Sequence, residues 1–567
     1  MAEQNPTLPT ALTALLCFTF EESRMSQTQD SSKNAKVYLN GLGLGSISAA
    51  VYLVQKAGFD PANIHIFEQN PERDLVGGSM DASMKMVDGK PVYFMRGSRM
   101  YEDKVYCCTK ELWSLIPYDE HGSCLDDHER NHEECQVDTV VRLLHADGEK
   151  DSGHDLGLGP IETVQMARLM ATPESSIPDD AKITDYFSDA FFRSNYWYMW
   201  RALFAFQPWH SAVEMRRYMR LFFHRMSDME KMTSLERTRY TNYHSFILPA
   251  LRLLTVKGVQ IHYNCRVTDA DFKVDGTQRW IERLHLESSD GEVMDPIEVQ
   301  PHDRAFLTIG SIVSNHAYGS HDQPVSMSPP EKPGGAYLLW QKLVAKQSDL
   351  GRPERFLRDV SLSRMMHCTV TFRGSLFERK FQWLVERLMG RQSPLPLTHS
   401  PWILHLHTYR QPFYPGQAAD TCVIWVSALG EDNEGQFVKK PMYECTGREI
   451  LEEILGHLWG DLDGNEKEEL LDTSYCVPCR LPYGISQFLP RAEGDRPPVI
   501  PEGSQNFALL GQFVEIPDGI VFTTEYSVLG AILAIKGLVN ASIEPPAMYF
   551  GQHDPWTNLA TAKAILR

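Results

Sequence analysis

The stretch that most restricts how this chain can fold runs from Lys36 to Glu68. Lys36-Val37-Tyr38-Leu39-Asn40 is a short strand pattern leading into Gly41-Leu42-Gly43-Leu44-Gly45-Ser46. Ile47 to Lys56 then sets small and apolar residues at helical spacing, and after Gly58 the run Ile64-His65-Ile66-Phe67-Glu68 reads as a second strand. A strand, a glycine turn, a helix and a strand closed by an acid make the dinucleotide-binding pattern. Glycines let the backbone approach a pyrophosphate, and the amides opening the helix meet its charge. Glu68 would accept hydrogen bonds from an adenosine ribose, while Ser46 replaces the third glycine and is still small enough for close helix packing. A plain glycine turn between strand and helix is the competing reading. It does not explain why the strand, helix and terminal acid coincide. Gly77-Gly78-Ser79-Met80-Asp81 follows soon after. A second glycine pair wraps a diphosphate in a FAD protein and is not needed for NAD, so FAD is the expected cofactor.

Further strand patterns lie at Val259 to Asn264, Trp280 to Glu287 and Arg304 to Thr308, the last ending in Gly310-Ser311. Phe507 to Leu510 is another, ending in Gly511, and Thr523 to Leu538 reads as a helix. The expected fold class is therefore α/β: a discontinuous Rossmann-type FAD-binding domain with large mixed α+β substrate-binding insertions. The FAD-binding domain takes in residues 35–105, 250–320 and 500–545. Residues 106–249 and 321–499 form the insertions, 1–34 a flexible N-terminal extension, and 546–567 a C-terminal segment. Within the insertions, the aromatic- and Met-rich 185–256 reads as helices and 360–430 mixes strand-like runs with loops. Expected cofactor contacts are Gly41, Gly43, Ser46, Glu68, Gly77, Gly78, Ser79, Met80, Arg96, Gly97, Ser98, Arg99, Val267, Ser311 and Thr524.

Composition narrows the function classes. With 43% apolar residues, 23% charged residues and a formal charge of −19, this is an ordinary globular chain and a poor nucleic-acid binder. Its 11 cysteines are odd in number and sparse, which argues against a secreted disulfide framework. Cys476 and Cys479 form a single C-x-x-C without a second, so buried thiols are favoured over a metal or redox site. Leu12 to Phe20 is a short apolar run preceded by Glu3 and by no basic segment, a weak signal peptide. No run approaches the roughly 20 apolar residues of a spanning helix. A cytoplasmic protein without integral membrane association or a metal is expected.

The aromatic stretch carries a resemblance. Phe204-Ala205-Phe206-Gln207-Pro208-Trp209-His210-Ser211-Ala212 leads into Glu214-Met215-Arg216-Arg217-Tyr218, and Arg237-Thr238-Arg239-Tyr240-Thr241-Asn242-Tyr243 follows. With Arg96-Gly97-Ser98-Arg99, Val438-Lys439-Lys440-Pro441-Met442 and Glu525-Tyr526-Ser527-Val528, these strings closely resemble the oleate hydratase family, also called the myosin-cross-reactive antigens. The resemblance implies a FAD-containing enzyme that adds water across an isolated cis double bond of a free fatty acid without net redox change. Family members are often dimers, so a homodimer is possible.

Hydrating an isolated alkene takes a proton donor at one carbon, a water at the other, and a base for the water's proton. Tyr218 aligns with the family's proton donor. By spacing alone, His210, Glu214 and Tyr218 (i, i+4, i+8) drift only about 80° around a helix, giving one polar face. The usual glutamate after Arg-Gly-Gly-Arg is here Met100, whose thioether cannot take a proton. Glu102 is the candidate replacement, and backbone groups holding water are another. A double-bond isomerase is the alternative activity, with a lipid flavin oxidoreductase and a non-catalytic lipid binder as further rivals. The family's head-group motif Thr-x-Asn-Arg-Gln-Pro-His reads His407-Thr408-Tyr409-Arg410-Gln411-Pro412-Phe413. The carboxylate contacts are therefore expected from Asn242, His407, Tyr409 and Phe413, with ordinary loop packing as the competing reading for Tyr409 and Phe413. Met199, Met215, Met219, Met226, Met229 and Met232 suit a flexible acyl chain and a plain core equally well.

Overall fold

The computed structural model describes residues 35–70, 76–134, 143–229, 232, 235–325, 333–377, 379–380, 394–460, 462–539, 542–549, 556, 560, 561 and 563. The expected extension at 1–34 and most of the segment at 546–567 lie outside the described residues.

Short strands, largely buried except at one edge (Gln260–His262), assemble the central sheet. β1 (Val37–Asn40), β2 (Ile64–Phe67), β3 (Gln260–His262), β4 (Arg304–Thr308) and β5 (Phe507–Leu510) pair in parallel in the order β3-β2-β1-β4-β5. That is the doubly wound order of a dinucleotide-binding sheet without its sixth strand, and its strands come from three separated stretches of chain. Parallel strands buried on both faces read as apolar runs, which is why Val37-Tyr38-Leu39 and Phe507-Ala508-Leu509-Leu510 lack alternation. Helix α1 (Leu44–Gln55) follows β1, and the helix Thr524–Val539 packs against it. Gly45 faces β5, where a Cβ would sit 3.6 Å from Leu510 Cβ, an ordinary van der Waals contact.

Two antiparallel sheets stand apart from this layer. Three strands spanning Cys265–Asp275, Gln278–Ser288 and Val293–Glu298 form one. Six strands form the other, centred on Met365–Arg373 between Thr421–Ala428 and Tyr475–Leu481, with Leu404–His407 beyond. The C-x-x-C lies on Tyr475–Leu481, where both thiols are buried. Cys476 interacts with Cys368, and Cys479 lies against Tyr318 and Arg96. Among the described residues no cluster of three metal-ligating side chains occurs, and no helix is long and apolar enough to cross a membrane.

Residues 185–256 depart from a plain run of helices. α2 (Asn195–Phe204) and α3 (Ala212–Leu221) are joined by a loop, then 3₁₀ turns, a two-residue strand at Leu235–Glu236 and a π turn at Tyr243–Ile247 intervene. Ala205 at φ 60° stops α2, and the Ser211 side chain accepts from Glu214 N–H to start α3. His210 therefore precedes the cap and is not on the helix with Glu214 and Tyr218, which corrects the single polar face expected from spacing.

Candidate functional site

The glycine loops build a groove along the C-terminal ends of β1, β2 and β4. Gly41 (φ 78°) donates its N–H to Phe67 O at 2.7 Å, and Gly77 (φ 98°) donates to Leu42 O at 2.9 Å, so the second glycine loop docks on the first. A Cβ on Gly43 would meet nothing within 4 Å, leaving open space before the start of α1. Among the described residues no side chain caps that start and its first turn carries no acid, so its amides remain available to an anion. Glu68 accepts from Leu42 N–H (2.7 Å) and Asn70 N–H (2.9 Å). An ionised carboxylate has about four acceptor directions, so it retains capacity for ribose hydroxyls. Burial pushes Glu68 up, and the amides oppose that shift.

Of the expected cofactor contacts, Gly41, Gly43, Glu68, Gly77, Gly78, Ser79, Met80, Arg96, Arg99, Val267, Ser311 and Thr524 line this groove. Ser46 does not. It is fully buried, its hydroxyl donating to Asn40 O at 3.0 Å, so it packs α1 onto β1. Gly97 is also off the groove lining, and a Cβ there would press on Ser79 O at 2.8 Å. Ser98 faces the neighbouring cavity instead. Sequence reasoning missed Gly334-Gly335, which line the groove at the uncapped start of the helix Gly335–Lys346. A glycine pair before an apolar helix was the available signal.

Beyond the groove lies a largely apolar cavity enclosing about 970 Å³, part of it open to solvent. Arg99, Phe522 and Thr523 line both groove and cavity, so one wall serves two compartments. Arg99 is held there by a 2.8 Å bond to Ser79 Oγ and by stacking 5.0 Å over Phe522. Phe522 itself has φ 70°, uncommon for a bulky residue.

Tyr218 lines the cavity, fully buried, with Phe204 and Phe206 edge-on at 5.0 Å each. Its hydroxyl donates to the Val521 carbonyl, next to the shared wall. Burial pushes the phenol well above its usual range, and Tyr106 and Glu214 push the same way while Arg99 and Arg496 pull it back. Glu214 itself is buried between Arg491 (3.2 Å) and Arg496 (3.0 Å). Met100 and Glu102 also line the cavity. Glu102 lies on the short strand Tyr101–Glu102, paired with Leu235–Glu236. Its Oε1 meets His224 Nε2 and its Oε2 accepts from Arg225 Nε at 3.2 Å. His224 and Arg225 follow α3 directly and carry no sequence motif that would single them out.

Of the four expected head-group residues, His407 lines the cavity. Burial, then Arg237 and His405, hold its imidazole well below the usual range, so it is neutral. Arg237 lies 3.5 Å from His407 Nδ1 and donates to Ser98 Oγ at 2.9 Å. Asn242, Tyr409 and Phe413 are not on the cavity lining. Asn242 accepts from Arg99 N–H at 2.9 Å and donates to the Tyr101 hydroxyl at 3.0 Å, so its amide holds the segment that carries Met100. Tyr409 and Phe413 stack face to face at 3.8 Å, the packing alternative. The six methionines also divide, with Met229 and Met232 on the lining and the rest in the surrounding core.

The MCRA family model matches residues 34–535. An oleate hydratase from Streptococcus pyogenes serotype M49 (strain NZ131) is 34% identical over 537 residues, covering 91% of this chain and 87% of that protein. A linoleate hydratase from Lactiplantibacillus plantarum is 28% identical over 531 residues, covering 88% of this chain and 93% of that protein. Among solved structures, a cyclohexylamine oxidase from Brevibacterium oxydans IH-35A has a TM-score of 0.48 at 12% identity, covering 89% of this chain and 99% of that one.

Proposed function

This chain belongs to the MCRA family, and from that premise we propose that it is a FAD-dependent hydratase of free unsaturated fatty acids, converting an isolated cis double bond into a hydroxy fatty acid. The observation that carries this reading is the shared wall. An apolar cavity with a buried phenol abuts a glycine-lined groove through Arg99, Phe522 and Thr523.

The groove residues fit FAD. Two glycine loops present backbone at close range, Glu68 suits a ribose, and two helix starts offer amides to a diphosphate. Bound there, FAD would supply charge and shape to the shared wall, with no net redox change. Tyr218 would turn its proton from Val521 O to the alkene. Arg99 and Arg496 favour the phenolate that develops, a stabilisation that low-dielectric surroundings enlarge. Met100 has no basic lone pair of useful strength, so the water's proton goes to Glu102. Glu102 Oε2 lies 3.2 Å from Arg225 Nε, and a carboxylate suffices as acceptor for the proton of a water already bonding to a carbocation-like carbon. His407, as a neutral donor, and Arg237 beside it meet the carboxylate head group. Asn242 acts one step back, by holding Arg99 and Tyr101.

The test is incubation of the FAD-loaded protein with oleic and linoleic acids in heavy-oxygen water. Label in a hydroxy product is the expected result. A shifted double bond without label would establish isomerisation instead, and flavin bleaching during turnover would establish redox chemistry.

A further inference from the structure

Hydration leaves two groups in the wrong protonation state after each turnover. Tyr218 has lost a proton to carbon, and Glu102 has gained one from water. The sum is zero, but both groups are buried, so each needs a path to reset. Glu102 is 1% exposed, and its carboxylate divides between two neighbours on one 3₁₀ turn, Phe223–Ser227. Arg225 cannot accept a proton, since its guanidinium stays protonated. His224 can. Its Nε2 meets Glu102 Oε1, its ring lies off the cavity lining, and its side chain is 11% exposed. Its Nδ1 is buried with no hydrogen-bond partner among the described residues. Such an atom costs free energy in a finished structure and needs a reason.

We propose that Glu102 and His224 form a proton relay, in which His224 takes from Glu102 the proton released by the attacking water and passes it outward. The bond broken is the water O–H. The proton moves to Glu102 Oε1 and then to Nε2 of the Nδ1–H tautomer of His224, whose Nδ1 proton leaves to water; Nδ1 then regains a proton from water as Nε2 releases its own, which restores the tautomer, while Tyr218 recovers one proton from solvent. No oxidant or further reactant is involved. Arg225 (itself paired with Asp228), Tyr106 on the cavity side, and Tyr549 with Lys104 beyond the ring are the other titratable or charged groups facing this pair. Tyr549 lies edge-on to His224 at 5.3 Å and the outer nitrogen is buried, so release of the proton to water requires the Tyr549 or His224 ring to shift. His224 lines neither the cavity nor the groove, so its role is to reset the base and not to react.

This inference rests on the hydratase reading with Glu102 as base, and the experiment separates the layers. Steady-state hydration of oleic acid is measured for the FAD-loaded wild type, Glu102→Gln, His224→Gln and His224→Ala, with and without added imidazole. Thermal midpoint and flavin absorbance serve as checks on folding. Glu102→Gln and His224→Gln should both turn over slowly. For His224→Gln, which retains a hydrogen-bond donor, kcat should fall on the order of tenfold or more with KM little changed. Imidazole should restore part of the His224→Ala rate. A wild type that makes no labelled hydroxy acid overturns the hydratase reading. A fully active Glu102→Gln overturns the base assignment and the relay with it. A slow Glu102→Gln beside a His224→Gln of wild-type kcat overturns the relay alone, as does a His224→Ala rate that imidazole leaves unchanged.

Discussion

At Tyr218 two demands oppose each other. A buried phenol keeps its proton, which suits storage, yet in the proposed hydration it releases that proton to a weak carbon base. The surrounding charges reconcile the two, since burial and Glu214 hold the proton while Arg99 and Arg496 favour its loss. Tyr218→Phe keeps the ring packing and removes the acid. Hydration should fall by about 10²–10⁴-fold, read as product per bound flavin. The thermal midpoint should drop only by the equivalent of about 1 kcal/mol for the lost bond to Val521 O. At this scale the sequence pointed to residues that the structure places on the cavity lining, Tyr218, Met100 and His407. Asn242 was expected at a head group because nothing in a string of letters shows that its amide is spent on Arg99 and Tyr101.

Elements were legible where local rules suffice. β1, α1 and β2 announce themselves through an apolar run, a glycine turn and a helical repeat, and β4 occupies the same residues in sequence and structure. The region around α3 was harder, because the Ser211 cap outranks the periodicity that extends back to His210. The pairing of Tyr101–Glu102 with Leu235–Glu236 joins segments far apart in the chain, and no local pattern reports it. One element-level prediction concerns the second glycine loop. Gly77 has φ 98°, and a Cβ there would come 3.1 Å from Ile247 Cγ2. Gly77→Ala should cost about 1–3 kcal/mol in backbone strain and weaken flavin retention, checked by thermal unfolding and by the flavin to protein absorbance ratio. An alanine variant as stable and as yellow as the wild type would show that the loop relaxes.

The whole molecule carries a net charge of −19, yet its proposed ligands are both anions. Local arrangement resolves this, with helix starts in the groove and Arg99 and Arg237 by the cavity. One buried acidic group elsewhere is paired with two basic side chains, and this makes stability depend on pH. Glu236 meets His128 and Lys110, each at 2.9 Å. Burial alone would raise its pKa, but these partners outweigh burial and hold it at about 2, against 4.5 when unfolded. A depressed carboxyl stabilises the fold above its unfolded value, and the contribution fades as pH falls from 4.5 toward 2. At about 1.4 kcal/mol per unit this is worth about 3 kcal/mol. Thermal midpoints should fall through that window, and Glu236→Gln should flatten part of the slope. The wall formed by Arg99, Phe522 and Thr523 has a different consequence. Two ligands that press on one wall cannot have independent affinities. Whatever factor a fatty acid applies to the dissociation constant of the dinucleotide, the dinucleotide must apply to that of the fatty acid. Titrating each ligand in the presence of the other should give the same coupling twice, a reciprocity that two separate pockets would lack.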